Sequence, residues 1–289
     1  MIYAVASGKG GTGKTTMSSS LAALWDSPIT LVDLDVEEPN LHLFLKPELD
    51  DIQKAYIEVP EADEDKCTKC RACADICQFK AITIMADTLL TFPEMCHGCG
   101  GCLEVCPEGA LTPGKRELGE ICRGTANGNT FIMGRLRIGE AMSPPLMRQI
   151  RTEFPALSTK GDILIDAPPG VSCPAIAAVM DADCIVLVTE PTPFGFHDFK
   201  LAWEAFKPMG KPMGAVINRA GIGDNTVQKF CRDNDIPVWA EIPYSREVAE
   251  AYSKGEVIAK ALKPLESTFT ALRESMRTAA KEAKEARHA

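Results

Sequence analysis

The sequence predicts an α/β fold, a doubly wound and mostly parallel sheet, with a small α+β module inserted into it. One observation is that apolar runs of strand length alternate with segments of helical spacing, starting at Ile2. That alternation is typical of a parallel sheet covered by helices on both faces. The other observation is that eight of the 12 cysteines are crowded between Cys67 and Cys106. This crowding interrupts the alternation and indicates a separate module.

The composition describes an ordinary globular protein. The chain has 289 residues, of which 45% are hydrophobic and 25% charged. Its net charge of −9 argues against general binding of nucleic acid, so no nucleic-acid partner is expected. No apolar run approaches membrane-spanning length, and the sequence starts with a strand pattern instead of a signal peptide. We therefore expect a cytoplasmic protein with no membrane anchor.

A glycine-rich loop joins the first predicted strand, Ile2 to Ala6, to a predicted helix from Met17 to Trp25. Glycines in such a loop let backbone N–H groups surround phosphate oxygens, and the helix adds its positive end. The pattern predicts a P-loop that binds ATP, with Lys14 on the β and γ phosphates and Thr15 on Mg²⁺. The alternative is a glycine-rich turn with a chance lysine. The predicted nucleotide-binding residues of the loop are Gly8, Gly10, Gly11, Thr12, Gly13, Lys14, Thr15 and Thr16.

Acidic residues follow two further predicted strands. Asp166 ends the apolar strand pattern within residues 162–169, and Asp33 and Asp35 end the pattern that starts at Ile29. Ligands of open α/β sheets bind at the carboxyl ends of strands, so Asp166 looks like the Walker B acid of a Mg²⁺ site. Asp33 is predicted to join Thr15 and Asp166 around that ion. The alternative is an aspartate that only caps a turn.

The crowded cysteines form two copies of the pattern C-x₂-C-x₂-C-x₃-C. In a reducing compartment this crowding indicates metal binding, and in two-cluster ferredoxins the fourth cysteine of each copy ligates the other cluster. The sequence therefore predicts two [4Fe–4S] clusters, although two thiolate-bound zinc ions remain an alternative. One predicted ligand set is Cys67, Cys70, Cys73 and Cys106, and the other is Cys77, Cys96, Cys99 and Cys102. His97 is expected beside a cluster and not as a ligand.

The edges of the insert are an acidic run that begins at Glu61 and the turn sequence Thr112-Pro113-Gly114. We place the ferredoxin-like insert at residues 63–114, with a hairpin between Ala81 and Phe92, and the ATPase domain at residues 1–62 and 115–289. The remaining predicted elements complete the sheet, and the tail from Pro264 to Ala289 is expected to be a solvated helix of mixed charge. Those elements are strands at 130–138, 184–189 and 212–218, and helices ending near 154, 206 and 234.

A second lysine, Lys9, lies inside the glycine loop, in the sequence KGGTGKT. This arrangement resembles the deviant P-loop ATPases of the MinD, ParA, Mrp and nitrogenase iron protein superfamily. The phrases GRLRIGEAMSPP, DAPPGVSCP, TEPTPFGFHD and EIPYSREVAEAYSKGE resemble the members of that superfamily that carry an inserted two-cluster ferredoxin domain. The likeness extends over nearly the whole chain.

The resemblance implies ATP binding, slow hydrolysis and a nucleotide-dependent homodimer or heterodimer with a related subunit. It implies that Lys9 reaches the phosphates of the other subunit and that Asp35 orients the attacking water. It also implies that Asn218 reads adenine and that Pro243 belongs to the last loop in contact with the base. The alternatives are that Lys9 is a solvated loop lysine and that Asn218 is a turn former at a strand end.

Four cysteines lie outside the two repeats. Cys184 and Cys231 stand in apolar contexts and are expected in the core. Cys173 follows Asp166 by seven positions, where the nitrogenase iron proteins carry a cysteine that binds a subunit-bridging cluster. Such a cluster needs a second thiol from each subunit, and Cys122 is the evident candidate. The alternative is that Cys173 is a plain thiol of the core or of a switch loop.

Three functions are consistent with these features. The first is an ATP-gated electron-transfer protein with an unidentified redox partner. The second is an assembly or carrier ATPase for iron–sulfur clusters or a metallocofactor. The third is a MinD-like or ParA-like positioning ATPase whose clusters sense redox state. We rank electron transfer first because ferredoxin spacing is typical of durable clusters.

Overall fold

The computed structural model describes residues 1–288 and places strands and helices in alternation along most of the chain. The strands are β1 (Ile2–Ala6), β2 (Ile29–Asp33), β3 (Glu48–Ala62), β4 (Ile82–Met85), β5 (Thr88–Thr91), β6 (Leu111–Ala126), β7 (Asn129–Leu136), β8 (Asp162–Asp166), β9 (Cys184–Thr189), β10 (Met213–Ala220) and β11 (Val238–Pro243). The helices are α1 (Lys14–Ala23), α2 (Leu41–Leu45), α3 (Ala72–Ile76), α4 (Gly101–Glu104), α5 (Ser143–Arg151), α6 (Phe154–Ser158), α7 (Cys173–Val179), α8 (Pro193–Phe206), α9 (Thr226–Asp233), α10 (Arg246–Ser253), α11 (Ile258–Ala261) and α12 (Lys263–His288).

The chain divides into two compact units. The first contains Met1–Ile52, Ile121–Arg135 and the described chain from Met147 onward, and the second contains Gln53–Glu120 and Leu136–Leu146. The boundary falls inside the long strands β3 and β6, because each of these strands contributes residues to both units. The predicted insert at residues 63–114 lies within the second unit. Its limits stay a prediction.

The large sheet has the strand order β11-β10-β9-β1-β8-β2-β7-β6-β3. From β11 to β7 each printed pairing is parallel, as the alternation in the sequence predicted. The strands β6 and β7 are joined by Asn127 and Gly128, both with positive φ, which is the arrangement of a tight two-residue hairpin turn. The α/β fold with a mostly parallel sheet is therefore confirmed.

The core of the first unit forms where the sheet packs against the helices. Tyr3, Phe131 and Leu164 are among its buried strand residues, and Met17 and Leu21 come from α1. Glycine permits one of the close contacts, because a Cβ on Gly214 would lie 2.1 Å from the ring of Trp239. The same core contains Cys184, and Cys231 is also fully buried, as predicted.

The carboxyl-terminal helix departs from the sequence prediction. Phe269, Leu272 and Met276 of α12 are fully buried in the core of the first unit, so the expectation of a solvated tail helix is wrong for this part. The side chains lie four or fewer positions apart, which puts them on one helix face. The many Ala, Glu, Lys and Arg residues on the other faces concealed this stripe. The last residue of the predicted tail, Ala289, lies outside the described residues.

The second unit contains a small antiparallel hairpin and two short helices. The hairpin pairs β4 with β5, from Ile82 opposite Thr91 to Met85 opposite Thr88, as predicted for this stretch. Ile82, Leu89 and Leu111 form a small core with Cys73, and six partly buried residues pack around it: four cysteines, Ile84 and Leu103. Such a small core buries little apolar surface, so a unit of this kind is typically stabilised by metal binding or by disulfides.

Candidate functional site

The glycine loop lies between β1 and α1 and borders a cavity of about 350 Å³. Gly13 has φ 98° at the start of α1, and a Cβ there would meet the Asn218 amide nitrogen at 2.3 Å. A Cβ on Gly8 would lie 1.9 Å from the carbonyl oxygen of Asp198. Glycine is therefore required at both positions, by conformation at the first and by space at both. Lys14 is buried, and with Thr15 it lines the cavity.

Asp33 and Asp166 end two adjacent parallel strands and pair directly in register. The carboxylate of Asp166 accepts hydrogen bonds from the Thr15 hydroxyl at 2.7 Å and from the Ser18 hydroxyl at 2.9 Å. Asp33 accepts from the backbone N–H groups of Asp35 at 3.1 Å and Leu41 at 2.9 Å. Asp33 therefore fixes the loop that carries Asp35, and Asp166 fixes the start of α1.

The environment of these three carboxyl groups opposes their ionisation. Burial, followed by the neighbouring Asp166, raises the pKa of Asp33 well above its ordinary value. Burial also raises the pKa of Asp166, although the Lys14 ammonium opposes that shift. For Asp35, burial raises the pKa to about 6, with Lys14 acting in the opposite direction. A divalent cation between these groups would favour their charged forms.

Lys9 makes an ion pair within its own subunit. Its Nζ lies 2.5 Å from Oε1 of Glu190, the residue that follows β9. Glu190 is also paired with Arg219, whose guanidinium donates to the Gly11 carbonyl oxygen at 3.3 Å. Burial works against the ionised form of Glu190, but Lys9 and Arg219 outweigh it and hold its pKa below the ordinary value. The sequence prediction did not include Glu190 or Arg219, although Glu190 stands at the carboxyl end of a parallel strand, where ligand sites of such sheets occur.

Asn218 and Pro243 also line the cavity. The Asn218 amide donates to the Thr12 carbonyl oxygen at 2.8 Å, and its oxygen accepts from the Arg219 backbone N–H at 2.9 Å. Asn218 therefore anchors the glycine loop directly. Tyr244 and Tyr252 line the cavity as well and were not among the predicted site residues. Their aromatic rings supply apolar surface of the kind that a nucleotide base requires.

The eight clustered cysteines lie around two small cavities of the second unit. The first cavity is lined by Cys67, Cys70, Cys73 and Cys106, which we name the first thiol set. The second cavity is lined by Cys77, Cys96, Cys99 and Cys102, which we name the second thiol set. Each set thus combines three cysteines of one repeat with the fourth cysteine of the other. All 12 cysteines of the chain are free thiols, so none of the eight is used in a disulfide.

Backbone N–H groups point at the fourth cysteine of each repeat. Ala81 donates to Sγ of Cys77 at 3.3 Å, and Ala110 donates to Sγ of Cys106 at 3.2 Å. These contacts are equivalent, because the two repeats are related by an offset of 29 residues, as from Cys77 to Cys106. Burial raises the pKa of Cys102 to about 11, and the neighbouring thiols of its set add to the shift. Both repeats therefore present the same backbone donor to their fourth thiol.

The thiols do not form a preassembled site for a single metal ion. Within residues 1–288, no group of three or more His, Cys, Asp or Glu side chains is close enough to hold one ion. A tetrahedral zinc site with bonds of about 2.3 Å needs sulfur atoms about 3.8 Å apart. His97 lines the second cavity and stacks on Phe79, with ring centroids 3.6 Å apart. This contact holds the His97 ring against an aromatic ring beside the thiols.

A subunit-bridging cluster at Cys173 would lack the second ligand that was proposed for it. Cys173 is exposed at the start of α7. Cys122, the candidate for the second thiol, is 0% exposed and belongs to the core of the first unit. A buried core thiol cannot reach a subunit interface without unfolding its strand, so the pairing of Cys122 with Cys173 is wrong.

The strand, glycine loop and helix, together with paired aspartates at adjacent strand ends, define the class of P-loop nucleotide-binding α/β proteins. Residues 3–258 match the family described as the CobQ/CobB/MinD/ParA nucleotide binding domain, and the chain belongs to that family. The comparisons thus confirm the predicted superfamily.

Among related sequences are two uncharacterised proteins of Methanocaldococcus jannaschii. One is 31% identical over 264 residues, which cover 90% of this chain and 92% of the relative. The other is 38% identical over 247 residues, which cover 84% and 86%. The indolepyruvate oxidoreductase subunit IorA of Thermococcus kodakarensis is 44% identical over 54 residues, 18% of this chain and 8% of that subunit.

Among solved structures, the septum site-determining protein MinD of Pyrococcus horikoshii, complexed with Mg-ADP, superposes with a TM-score of 0.58. The superposition covers 95% of this chain and 94% of that one at 22% sequence identity, which establishes a shared fold. Within the described residues, no helix combines the length and apolar character needed to cross a membrane.

Proposed function

We propose that this chain is an ATP-binding and slowly ATP-hydrolysing iron–sulfur protein. In this proposal a nucleotide-dependent dimer controls electron transfer through two [4Fe–4S] clusters held by the two thiol sets. The observation that carries it is the lining of each cavity by three cysteines of one repeat and the fourth of the other. That exchange of ligands is the pattern of two-cluster ferredoxins.

The residues around the glycine loop are suited to binding ATP and Mg²⁺. The loop amides and Lys14 would hold the phosphates, Thr15 with Asp166 and Asp33 would surround the Mg²⁺ ion, and Asp35 would orient the attacking water. Lys14, Thr15, Asp35, Asn218 and Pro243 all line the same cavity, which supports this assignment. Lys9 would contribute to the site of the second subunit once it leaves Glu190. The known Mg-ADP complex of a protein with this fold supports the assignment of the nucleotide.

The thiol sets fit iron–sulfur clusters better than single ions. A cubane cluster binds each thiolate through a different iron atom and needs four such ligands, and each cavity is lined by four cysteines. The N–H groups of Ala81 and Ala110 aimed at sulfur would stabilise negative charge on the ligands. Bound clusters would supply one-electron transfer. The similarity of a 54-residue segment to an oxidoreductase subunit, at 44% identity, supports a redox role.

The proposal is tested by measuring iron, acid-labile sulfide and ATP hydrolysis on anaerobically purified protein. We expect about eight iron atoms per chain, two [4Fe–4S] signals in the EPR spectrum after reduction, and phosphate release that Lys14→Ala abolishes. Iron near zero after anaerobic purification and reconstitution would contradict the cluster assignment. Phosphate release that survives Lys14→Ala would contradict the assignment of the loop.

The exchanged ligands allow a sharper test. Cys67→Ser and Cys106→Ser should damage the same cluster, although 39 positions separate them in the sequence. Cys77→Ser and Cys96→Ser should damage the other. Cys231→Ser is the matched control, because that thiol is buried outside the second unit and should leave both EPR signals intact. Damage that instead follows the sequence repeats would overturn the assignment.

The fold favours a second candidate, a positioning ATPase of the MinD type, because the chain superposes on MinD over 95% of its length. Cellular localisation that depends on ATP and persists in a Cys67→Ser/Cys96→Ser variant would support that function. Rapid transfer of iron to an apo acceptor would instead support the assembly or carrier function. Electron transfer requires that the clusters stay bound while they are reduced and reoxidised.

A further inference from the structure

The two cysteine repeats place residues with positive φ at equivalent positions. The second repeat uses glycine at each of them, and the first repeat uses a basic residue. The equivalent pairs, with φ in degrees, are Lys69 (59) and Gly98 (64), Arg71 (70) and Gly100 (72), and Lys80 (56) and Gly109 (58). At these three positions the two repeats thus have nearly the same φ, and the side chains differ systematically.

A non-glycine residue in the left-handed region costs about 1 kcal/mol relative to glycine. Steric need does not explain the difference between Arg71 and Gly100, since a Cβ built on Gly100 meets nothing within 4 Å. Arg71 is therefore held in an unfavourable backbone conformation at a position where its equivalent is glycine. This arrangement points to a use for its charge.

Of these three basic residues with positive φ, Arg71 lines a thiol cavity. The charged residues around the first cavity are Arg71 and Glu108, whereas Glu58 is the charged residue around the second. No ion pair holds Arg71 elsewhere in the described part of the chain, and its side chain is exposed. The first thiol set therefore carries one positive charge that the second set lacks.

One further arginine lies near the second set, but other charges neutralise it. Arg116 is buried and donates to the Cys96 carbonyl oxygen at 3.3 Å. It forms ion pairs with Glu140 and Glu94, and Arg137 contacts the same two carboxylates. Two guanidinium groups thus face two carboxylates, which leaves no net charge. Arg116 holds the loop at Cys96 in place without changing the balance between the two sets.

We infer that Arg71 makes the two thiol sets unequal, so that a cluster on the first set has the higher reduction potential and receives the electron first. A cation beside thiolate ligands stabilises the additional negative charge of the reduced state, which raises the potential. This inference rests on the proposed function, because it requires both clusters. It assigns a direction to electron transfer within the second unit, from the second set to the first.

The test is an anaerobic redox titration of the full chain, followed by EPR, on variants that exchange the equivalent residues. Arg71→Gly should lower the higher of the two midpoint potentials. The expected decrease is at least 59 mV, which for one electron corresponds to a tenfold change in the ratio of reduced to oxidised cluster. Gly100→Arg should raise the lower potential. Cys67→Ser identifies which signal belongs to the first set, because that variant removes one of its ligands.

Two further variants separate charge from backbone strain. Arg71→Gln keeps the strained conformation and removes the charge, so it should behave like Arg71→Gly. Arg71→Lys keeps the charge and should retain the potentials of the natural protein. Full iron content with both potentials unchanged in Arg71→Gly and Arg71→Gln would overturn this inference and leave the proposed function standing. Iron near zero in the natural protein would remove the proposed function itself.

Discussion

Asp35 shows how a single buried carboxyl group can link function to stability. It lines the nucleotide cavity together with Lys14, and its burial raises its pKa from 3.8 to about 6. A carboxyl group whose pKa is raised by folding stabilises the protein fully at pH values below its pKa in the unfolded state. This stabilisation is lost as the pH rises through the pKa of the folded state. Nucleotide-free protein therefore carries a destabilising ionised Asp35 at neutral pH.

We expect Asp35→Asn to abolish ATP hydrolysis and to stabilise the nucleotide-free protein at neutral pH. A shift from 3.8 to about 6 corresponds to about 3 kcal/mol. The gain relative to the natural protein should be present above pH 6 and absent near pH 4, as measured by urea unfolding at both values. Asp233→Asn is the control because Asp233 is exposed. An equal effect of Asp35→Asn at both pH values would show that this group does not titrate as described.

Glu190 holds the Lys9 ammonium in an ion pair within its own subunit. The ion pair of 2.5 Å joins Lys9 to a carboxylate that is only 6% exposed, so the contact is shielded from solvent. If Lys9 serves the nucleotide site of a second subunit, this pair must break when the dimer forms. Glu190 therefore opposes association in the absence of a compensating phosphate contact.

We expect Glu190→Gln to strengthen ATP-dependent dimerisation about tenfold, equivalent to about 1.4 kcal/mol, because less energy is needed to free Lys9. Sedimentation with a non-hydrolysable ATP analogue measures the change. The Lys9→Ala/Glu190→Gln double variant is the control, and it should show no gain over Lys9→Ala. Dimerisation that weakens in Glu190→Gln would indicate that the carboxylate itself supports the interface.

Among the elements, the short helix α2 ends in a residue that is poorly suited to its conformation. Lys46 caps the helix with φ 47°, and its N–H donates to the His42 carbonyl oxygen at 2.9 Å. Glycine is the usual residue at such a left-handed position, and Pro47 then prevents the helix from continuing. The position is exposed, so its side chain is not required for packing.

Lys46→Gly should therefore stabilise the protein by about 1 kcal/mol, because it removes the left-handed penalty of a Cβ. In a protein of this size the gain corresponds to a rise in Tm of about 2–4 °C, measurable by differential scanning calorimetry. Lys46→Ala should bring no comparable gain, because alanine retains the Cβ. A gain of equal size in both variants would point to the lost charge instead of the backbone.

At the scale of the whole molecule, the sequence was most informative where one local pattern determines the structure. The glycine loop, the buried strands such as Ile2–Ala6 and Cys184–Thr189, and the hairpin between the cysteine repeats appear where predicted. Each depends on short-range spacing of apolar residues, glycines or turn residues. The assignment of clusters to the two thiol sets and of roles to Asp33 and Asp35 stays a prediction.

The sequence did not reveal features that depend on long-range contacts. The strands β3 and β6 are 15 and 16 residues long and rich in charged residues, so they lack the apolar run that marks a buried strand. The segment Leu136–Leu146 belongs to the second unit because Arg137 and Glu140 pair with Glu94 and Arg116, which are distant in sequence. The ion pair between Lys9 and Glu190 spans 181 positions. Local patterns carry no information about such partners.

The course of β3 and β6 leads to a prediction about the independence of the cysteine module. These strands are neighbours in the sheet, and the Asp63 N–H donates to the Ala110 carbonyl oxygen at 2.8 Å. This is the contact found between the two residues that flank a tight hairpin turn. Replacing residues 64–109 by Asn-Gly should therefore convert β3 and β6 into a continuous hairpin without displacing either strand.

We expect this deletion variant to be folded, to bind ATP and to contain no iron, because the nucleotide cavity takes no residue from the deleted segment. Circular dichroism, nucleotide titration and iron analysis check these outcomes. The full chain with Cys67→Ser and Cys96→Ser is the matched control, since it lacks cluster ligands but keeps the module. If the module regulates hydrolysis, reduction with dithionite should change the ATPase rate of the natural protein. It should change the rate of neither the deletion variant nor the double cysteine variant. An unfolded deletion product beside a folded control would show that the first unit requires the module for its own stability.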